Sequence, residues 1–442
     1  MRLSRLAALA LTSMMFACAT RSAMPTSPAP RDVPLERPSP LDVAAEQYVK
    51  LVLALGQHGE SEVDAYYGPE AWAQEARATR VTLEDIRKRA AEVSKAVEAV
   101  PVPDDALVAM RRRFLLGQLT AVATRARMLS GERLTFDDES EALYGVRAPR
   151  HEEAEFEAVL AELERRVPGP GPLGERIEHF RQRFVIPADR RDAVYRAAID
   201  EARRRTLPHV TLPSEERFSL EYVKDKPWGG YNWFKGQATS VIQVNTDLPD
   251  FIWRAVLLAA HEGYPGHHVY NTLLEQHLVR ERGWVEFTVY PLFSPMSLIA
   301  EGSADHGVAL AFPDAEAFLR DTLFPLAGFD PRHAADYMRV EELLEKLSYT
   351  QIEAARALVD GQLSREATRD WLKRYALLSP ERAELLMKNI EATRSYVINY
   401  SLGRDLVKEY VERQAGPEAT PERRWRAFRD LLASPRLPAD LR

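Results

Sequence analysis

The chain has 442 residues, of which 45% are hydrophobic, so it is long and apolar enough to bury a sizeable core. Its 66 acidic and 59 basic residues give a formal net charge of -7, and no basic stripe stands out; we therefore expect no nucleic acid partner. The single cysteine excludes an internal disulfide framework.

Residues 1–18 have the pattern of an export signal. Two arginines precede an apolar stretch, 6–16, that is too short to cross a bilayer. Cys18 follows at a position that resembles a bacterial lipobox, although Met15 and Phe16 depart from that motif. We expect a lipid anchor at Cys18 and, because Ala19 is not the Asp of an inner-membrane retention signal, an outer-membrane lipoprotein facing the periplasm. Secretion after cleavage near Ala19 is the alternative.

The rest of the chain is predicted to be mainly α-helical. Residues 19–40 are rich in proline, serine and alanine and are expected to form an extended tether. We expect an N-terminal helical lobe, 41–210, and a catalytic helical lobe, 211–442. Apolar periodicity in the first lobe predicts helices over 45–55, 83–100, 107–129, 152–167 and 187–206.

In the second lobe, alternating residues over 231–244 predict a small β element, a strand pair beside the active-site helix. A nearly all-apolar helix over 252–260 follows and runs into His261. Later helices are predicted over 297–310, 334–358, 364–375, 380–391 and 400–414.

The octapeptide His261-Glu262-Gly263-Tyr264-Pro265-Gly266-His267-His268 contains three of the ten histidines. A zinc hydrolase needs three protein ligands, an open position for water and a carboxylate that takes a proton from that water. The common arrangement places two histidines four residues apart on one helix face. Here that position is Pro265, which cannot bind a metal, and His268 would lie roughly 10 Å from His261 along an unbroken helix.

The dipeptide Pro265-Gly266 can shorten the distance between His261 and the later histidines. Proline removes a helical hydrogen bond and glycine accepts unusual backbone angles, so the helix can bulge or break there. We therefore predict His261 and His267 as metal ligands, with His268 as the alternative to His267. Glu262 is predicted to be the general base.

The helix predicted over 297–310 supplies a third ligand. Glu301 and Asp305 are four residues apart and share a helix face. We predict that Glu301 binds the metal and that Asp305 accepts the second N–H of a ligating histidine, which fixes the tautomer of that ring. His306 points elsewhere and is expected on the substrate side or in the core.

The alternative is that these side chains have structural roles, as single histidines on apolar helices often do. Two features favour a metal. Burying several unpaired ionisable groups after an apolar helix would be costly, and a second helix with well-spaced carboxylates follows. Two imidazoles and a carboxylate suit Zn²⁺, which we expect as the cofactor.

The octapeptide resembles the Pro-Gly-His-His motif of the bacterial family catalogued as domain of unknown function 885, which is grouped with the gluzincin-like zinc peptidases. Similar stretches at 64–69, 134–145 and 245–249 extend the likeness over most of the mature chain, and Tyr400-Ser401-Leu402-Gly403 matches a late family segment. Ser303 stands where many members have Trp, and Asp305-His306 follows it in place of an aromatic residue and a second Glu. The resemblance implies a large helical metallopeptidase-like fold with peptide substrates.

Residues near the C-terminus can complete such a site. Gluzincin-like enzymes commonly offer a Tyr or His to the oxyanion, and Tyr396 and Tyr400 are candidates here. Arg394 and Arg404 are candidates for holding a substrate carboxylate. Aromatic packing and surface arginines are the alternative at these positions. Backbone around 237–243 is a candidate edge strand for an extended peptide.

The leading hypothesis is thus an exported zinc metallopeptidase in which Glu262 activates water for attack on a peptide bond. One alternative is a non-catalytic envelope lipoprotein with a structural metal site, and another is a metal-dependent hydrolase of a different amide or ester. The presence of Glu262 separates the first two, since a structural site has no need of a free acid beside its first histidine. The pattern leaves the substrate and the oligomeric state open.

Overall fold

The computed structural model describes residues 38–226 and 228–442, so the export signal with Cys18 and the tether up to residue 37 lie outside the described residues. Ser39–Arg442 form one compact unit. Its mainly α-helical character confirms the predicted fold class. The proposed division of this unit into two lobes near residue 210 stays a prediction. Among the described helices, none combines the length and apolarity needed to span a bilayer.

Helices make up most of the described chain. In chain order they are α1 (Pro40–Leu55), α2 (Glu70–Ala78), α3 (Leu83–Glu98), α4 (Ala106–Leu129), α5 (Phe136–Tyr144), α6 (Glu153–Arg166), α7 (Leu173–Gln182), α8 (Arg191–Thr206), α9 (Ile252–Leu258), α10 (His267–Leu274), α11 (Pro295–Ala311), α12 (Ala315–Phe318), α13 (Phe324–Ala327), α14 (Ala334–Glu345), α15 (Tyr349–Val359), α16 (Arg365–Tyr375), α17 (Pro380–Thr393), α18 (Ile398–Ala415) and α19 (Pro421–Leu432). Three π-helical turns, Ala259–Gly263, Glu275–Arg280 and Leu319–Leu323, and four short 3₁₀ segments, Val285–Thr288, Pro331–His333, Arg394–Val397 and Pro438–Leu441, lie between them.

The folded chain begins within the predicted tether. Ser39 caps α1, because its hydroxyl accepts the Asp42 N–H while the Asp42 carboxylate accepts the Ser39 N–H at 2.9 Å. Pro40 occupies the first helical position, where a missing N–H has no cost. Ser39 itself keeps an extended backbone, so among the described residues of the predicted tether, 38–40, the expectation of extended chain is wrong at Pro40.

The helix predicted over 334–358 is also wrong as a single element, because the chain forms α14 and α15 with a turn at 346–348. Leu347 in that turn is buried with residues of α6 and α14, whereas Ile352 of α15 joins the central hydrophobic core. Because of this turn, the apolar residues before and after it pack into two different hydrophobic clusters.

Two small sheets accompany the helices. Strands β1 (Val63–Tyr66) and β5 (Val289–Pro291) pair antiparallel. Strands β2 (Arg217–Val223), β3 (Gly230–Phe234) and β4 (Thr239–Asn245) form a sheet in the order β2-β4-β3, with β2 parallel and β3 antiparallel to β4. The predicted strand pair is confirmed, but the expectation of an edge strand around 237–243 is wrong. Since β4 is central, β3 and β2 carry the edges.

Helices α11 and α18 cross in direct backbone contact at two glycines. A Cβ atom on Gly302 would overlap the backbone of Gly403, and one on Gly403 would lie 2.9 Å from the Leu298 carbonyl oxygen. Only glycine at this crossing lets the helices approach so closely. This close crossing places the face of α11 that bears Glu301 next to the first turns of α18, where the candidate site lies.

Candidate metal centre

The helix that begins at Ile252 is interrupted within the octapeptide. After α9 the backbone widens into the π-helical turn Ala259–Gly263, where the Tyr264 N–H donates to the Ala259 carbonyl at 3.0 Å. The Gly266 N–H donates to the Ala260 carbonyl at 2.9 Å, and α10 then starts at His267. A side chain at Gly266 would overlap the His261 carbonyl oxygen, so glycine is required at this turn. The predicted break at Pro265-Gly266 is confirmed.

This break brings His267 back beside His261. Potential ligand atoms of His261, His267 and Glu301 all lie within 4.8 Å of one another. The two imidazole rings have centroids 4.7 Å apart and are nearly perpendicular, at 88°. Glu301 Oε2 lies 3.3 Å from His261 Nε2 and 3.7 Å from His267 Nε2. The three side chains therefore converge on one point from three elements, the π-helical turn, α10 and α11.

The spacing of these atoms fits a shared metal better than hydrogen bonding. Glu301 Oε2 is buried and has no hydrogen-bond partner among the described residues. A buried carboxylate oxygen without a partner is costly. Two ligands that are each about 2.0–2.1 Å from a tetrahedral zinc lie about 3.3–3.4 Å apart. The observed separation of 3.3 Å from His261 matches this spacing, and that of 3.7 Å from His267 is slightly longer. Two imidazoles with one carboxylate form a donor set that suits zinc.

Neighbouring side chains hold two of these three groups in place. His261 Nδ1 lies 2.8 Å from Asp305 Oδ1, the predicted position for a carboxylate that orients a ligating histidine. The Tyr396 hydroxyl donates to Glu301 Oε1 at 2.7 Å. The remaining Glu301 oxygen, Oε2, is thus left facing the two imidazoles.

Glu301 and His261 shift each other's pKa within the cluster. Burial alone would raise the pKa of Glu301, but His261 and His267 lower it far below its ordinary value. Burial lowers the pKa of His261, but Asp305 and Glu301 outweigh this effect and raise it well above its usual range. A metal ion bound by these groups would supply the positive charge that the imidazoles otherwise provide to Glu301.

His268 lies outside this cluster although it follows His267 directly. Its side chain is fully buried, with Nδ1 at 2.8 Å from Ser240 Oγ and Nε2 at 2.8 Å from Glu216 Oε1. The Tyr264 hydroxyl donates to the same Glu216 carboxylate. His268 thus ties the broken helix to strand β4 and to the residue before β2.

Glu262 is buried, with 6% of its surface exposed, next to the ligand cluster. Burial raises the pKa of its carboxyl, while the charges of His261 and His267 act in the opposite direction. Its backbone carbonyl accepts a hydrogen bond of 2.6 Å from the Asn232 side chain on β3. The carboxylate makes no hydrogen bond among the described residues and stays available to a proton donor.

The two candidate tyrosines differ in environment. Tyr396 is buried and its hydroxyl is committed to Glu301, whereas Tyr400 is 37% exposed and packs its ring 5.9 Å from that of Tyr396. Partial removal from water and the nearby charges of Glu301, Asp305 and Glu262 raise the pKa of the Tyr400 hydroxyl. Tyr400 is therefore protonated at neutral pH and free to donate.

Three other sequence candidates are engaged elsewhere. The Arg394 guanidinium binds the Glu139 carboxylate at 2.5 Å and the Leu134 carbonyl at 3.0 Å. Arg404 pairs with Glu345 and with Asp405, the latter at 2.9 Å. His306 is buried in the core, 5.8 Å from the Phe428 ring centre, and is not placed to touch a substrate.

Sequence reasoning missed Asp64 of β1 and Tyr231 of β3. The Tyr231 hydroxyl donates to Asp64 Oδ1 at 2.6 Å. Burial raises the pKa of Asp64, and the charges of Glu301, His267 and Glu262 also act on it. The stretch 64–69 carried part of the family resemblance, but no local pattern links it to a residue 167 positions away.

Comparisons with known proteins show similarity of fold. No protein-family model and no curated protein matches the sequence. Among the solved structures that match, one is the "putative lipoprotein from Colwellia psychrerythraea", with a TM-score of 0.50 and 16% identity over 83% of this chain and 68% of that chain. Another is "a putative lipoprotein of unknown function from Shewanella oneidensis", with a TM-score of 0.44 and 12% identity over 82% of this chain and 75% of that chain. At these identities the likeness concerns the fold alone, and membership of the zinc-peptidase family stays a prediction.

Proposed function

We propose that the chain is a zinc-dependent hydrolase and that it cleaves peptide bonds. One observation carries the proposal: the buried oxygen Glu301 Oε2 has no hydrogen-bond partner among the described residues and faces His261 Nε2 at 3.3 Å and His267 Nε2 at 3.7 Å. His261, His267 and Glu301 would hold the ion. The ion would supply Lewis acidity and an acidified water molecule.

The chain's own residues supply the other parts of the reaction. Glu262, buried and without a competing partner, takes the proton of the attacking water and returns it to the leaving amine. Tyr400 donates a hydrogen bond to the oxyanion as charge develops on the carbonyl oxygen. Asp305 and Tyr396 keep His261 and Glu301 in their orientations.

Two alternatives are compatible with the same ligand set. A structural metal site in a non-catalytic envelope lipoprotein would hold zinc without turnover. A hydrolase of another amide or ester would use the same water and the same base. The buried, unpartnered Glu262 favours catalysis, because an acid in that position contributes nothing to a structural site and is costly to bury.

We also propose that the protein is exported and acts in the cell envelope, anchored by a lipid on Cys18 at the outer membrane and facing the periplasm. The export pattern of residues 1–18 supports this location. The Colwellia protein of similar fold is itself named a "putative lipoprotein". Secretion without an anchor is the alternative, and the intact mass of the mature N-terminus would distinguish the two.

The test of the proposed function is the substitution Glu262→Gln in the zinc-loaded protein. Digestion of a peptide library, read by mass spectrometry, identifies cleaved bonds and gives a substrate for kinetics. Loss of the general base should lower kcat by roughly 10²-fold or more with zinc content unchanged. Equal cleavage by wild type and variant would rule out the role of Glu262, and zinc binding with no cleavage by the wild type would favour a structural site.

A further inference from the structure

A cavity of about 900 Å³ adjoins the candidate metal centre at Asp305. One wall is the face of α9 that carries Trp253 and Leu257, spaced four residues apart and followed at the same spacing by His261. Another part of the lining comes from Asp305, Val308 and Ala309 of α11 and from Phe312, which follows this helix. The cavity thus follows two helix faces away from the metal centre.

An arginine without a counter-ion lines this cavity. Arg382 of α17 makes no side-chain hydrogen bond or ion pair with any described residue, and its guanidinium lies 5.3 Å from the Phe251 ring centre. Two other arginines that line the cavity are paired. Arg181 binds Glu341 at 2.8 and 3.0 Å, and Arg404 binds Glu345. Arg382 is therefore the guanidinium available to an anion.

The surroundings of Arg382 contain charges of both signs. Burial lowers its pKa, and the positive charges of Arg181 and Arg254 act in the same direction, while the carboxylates of Glu178 and Glu341 act in the opposite direction. A partly buried guanidinium that makes no ion pair with any described residue is stabilised by a ligand carboxylate, which guanidinium groups bind through two parallel hydrogen bonds.

We propose that Arg382 binds a carboxylate of the substrate, so that the enzyme prefers short peptides with a free C-terminus. This inference rests on the proposed function. Phe251 precedes His261 by ten residues, seven of which form α9, so the two positions lie at most roughly 15 Å apart along the helix axis. An extended peptide covers this distance in about four or five residues. The preferred ligand therefore places its carboxylate four or five residues beyond the bond that is cut.

The test measures binding, independently of turnover. Isothermal titration calorimetry of the full-length Glu262→Gln protein with zinc would use N-acetylated peptides of two to eight alternating alanine and serine residues. Each peptide is made with a free carboxylate and as the amide. We expect the free acids to bind at least about tenfold more tightly than the amides once the chain is long enough to reach Arg382. Acetate alone should not compete at equal concentration.

Three variants locate the effect. Arg382→Gln should bring the acid-to-amide ratio close to one, and Arg382→Lys should keep part of the preference. Arg320→Gln is the matched control, because Arg320 lines the same cavity but is already paired with Asp321 at 2.8 Å; its ratio should match that of the parent. Thermal melting checks that each variant is folded.

The outcomes separate this inference from the proposed function. Equal binding of acids and amides, no binding of either form, or a preference that survives in Arg382→Gln would overturn the inference even if the wild type cleaves peptides. Competition by acetate as strong as by the peptides would identify an adventitious anion only and would also overturn it. A carboxylate preference that depends on Arg382 would support the inference even if library digestion shows no cleavage.

Discussion

Tyr396 and Tyr400 lie four residues apart in the chain, yet their side chains have different environments. The Tyr396 hydroxyl is bound to Glu301, whereas Tyr400 keeps 37% of its surface exposed beside the cluster. We therefore assign Tyr396 a positioning role and expect Tyr400 to contact the reacting carbonyl.

The two phenylalanine substitutions should separate these roles. Tyr400→Phe should lower kcat by about 10²-fold while zinc affinity stays the same, because it removes only a donor to the oxyanion. Tyr396→Phe should weaken zinc binding by roughly 10- to 100-fold, because Glu301 loses the hydrogen bond that orients it. Steady-state kinetics and competition with a zinc chelator measure the two effects. If Tyr400→Phe retained full activity, the oxyanion role would have to be assigned to another group.

The choice between His267 and His268 shows which site residues local sequence patterns can predict and which they cannot. Local chemistry predicted the break at Pro265-Gly266 and the pair Glu301 and Asp305. It favoured His267 and kept His268 as the alternative, because successive residues of a helix point about 100° apart and the backbone at the break decides which of the two faces the metal. The choice depends on Glu216 and Ser240, which receive the His268 side chain from distant parts of the sequence.

At the scale of elements, the crossing of α11 and α18 determines whether the Glu301 side of α11 meets Tyr400 of α18 and Tyr396 of the 3₁₀ segment just before it. Gly302 and Gly403 touch through their backbones, so no side chain fits at either position. A bulkier residue would push the helices apart and would break the hydrogen bond from Tyr396 to Glu301.

Gly302→Ala should therefore destabilise the protein and weaken zinc binding together. Overpacking at a close contact costs about 1–3 kcal/mol, and backbone atoms cannot rotate away as a flexible side chain can. Gly174→Ala is the matched control, since a Cβ atom on that helical glycine would meet its nearest neighbour at 3.8 Å. Chemical denaturation and zinc titration of both variants provide the measurement. Equal stability of the two variants would contradict the role given to the crossing.

Elements with strong local periodicity were predictable, and those that depend on distant contacts were not. The apolar helix before His261 and the strand pair over 231–244 follow from short-range pattern. The split between α14 and α15 does not, because it depends on which cluster receives Leu347. The central position of β4 also escaped prediction, since β2 joins it from before the predicted strand pair.

At the scale of the whole molecule, the candidate centre gathers residues that are far apart in the chain. Asp64 comes from β1, the octapeptide from the π-helical turn after α9 and the start of α10, and Glu301 and Tyr400 from α11 and α18. Composition and charge predicted a sizeable core and no nucleic acid partner, and apolar periodicity predicted the helices, but no sequence pattern brings Asp64 of β1 near Glu301 of α11. A metal held by two of these segments couples its binding to folding.

The most direct test of the central claim is the zinc content of three purified proteins: wild type, His267→Gln and His268→Gln. The two substitutions are chemically identical and adjacent, and circular dichroism with thermal melting establishes that each protein is folded. We expect about one zinc per chain in the wild type, no stoichiometric zinc in His267→Gln, and zinc retained in His268→Gln, because only the first substitution removes a ligand of the His261–His267–Glu301 cluster. A folded His267→Gln protein that keeps its zinc, or a wild type that takes up none on reconstitution, would contradict the account.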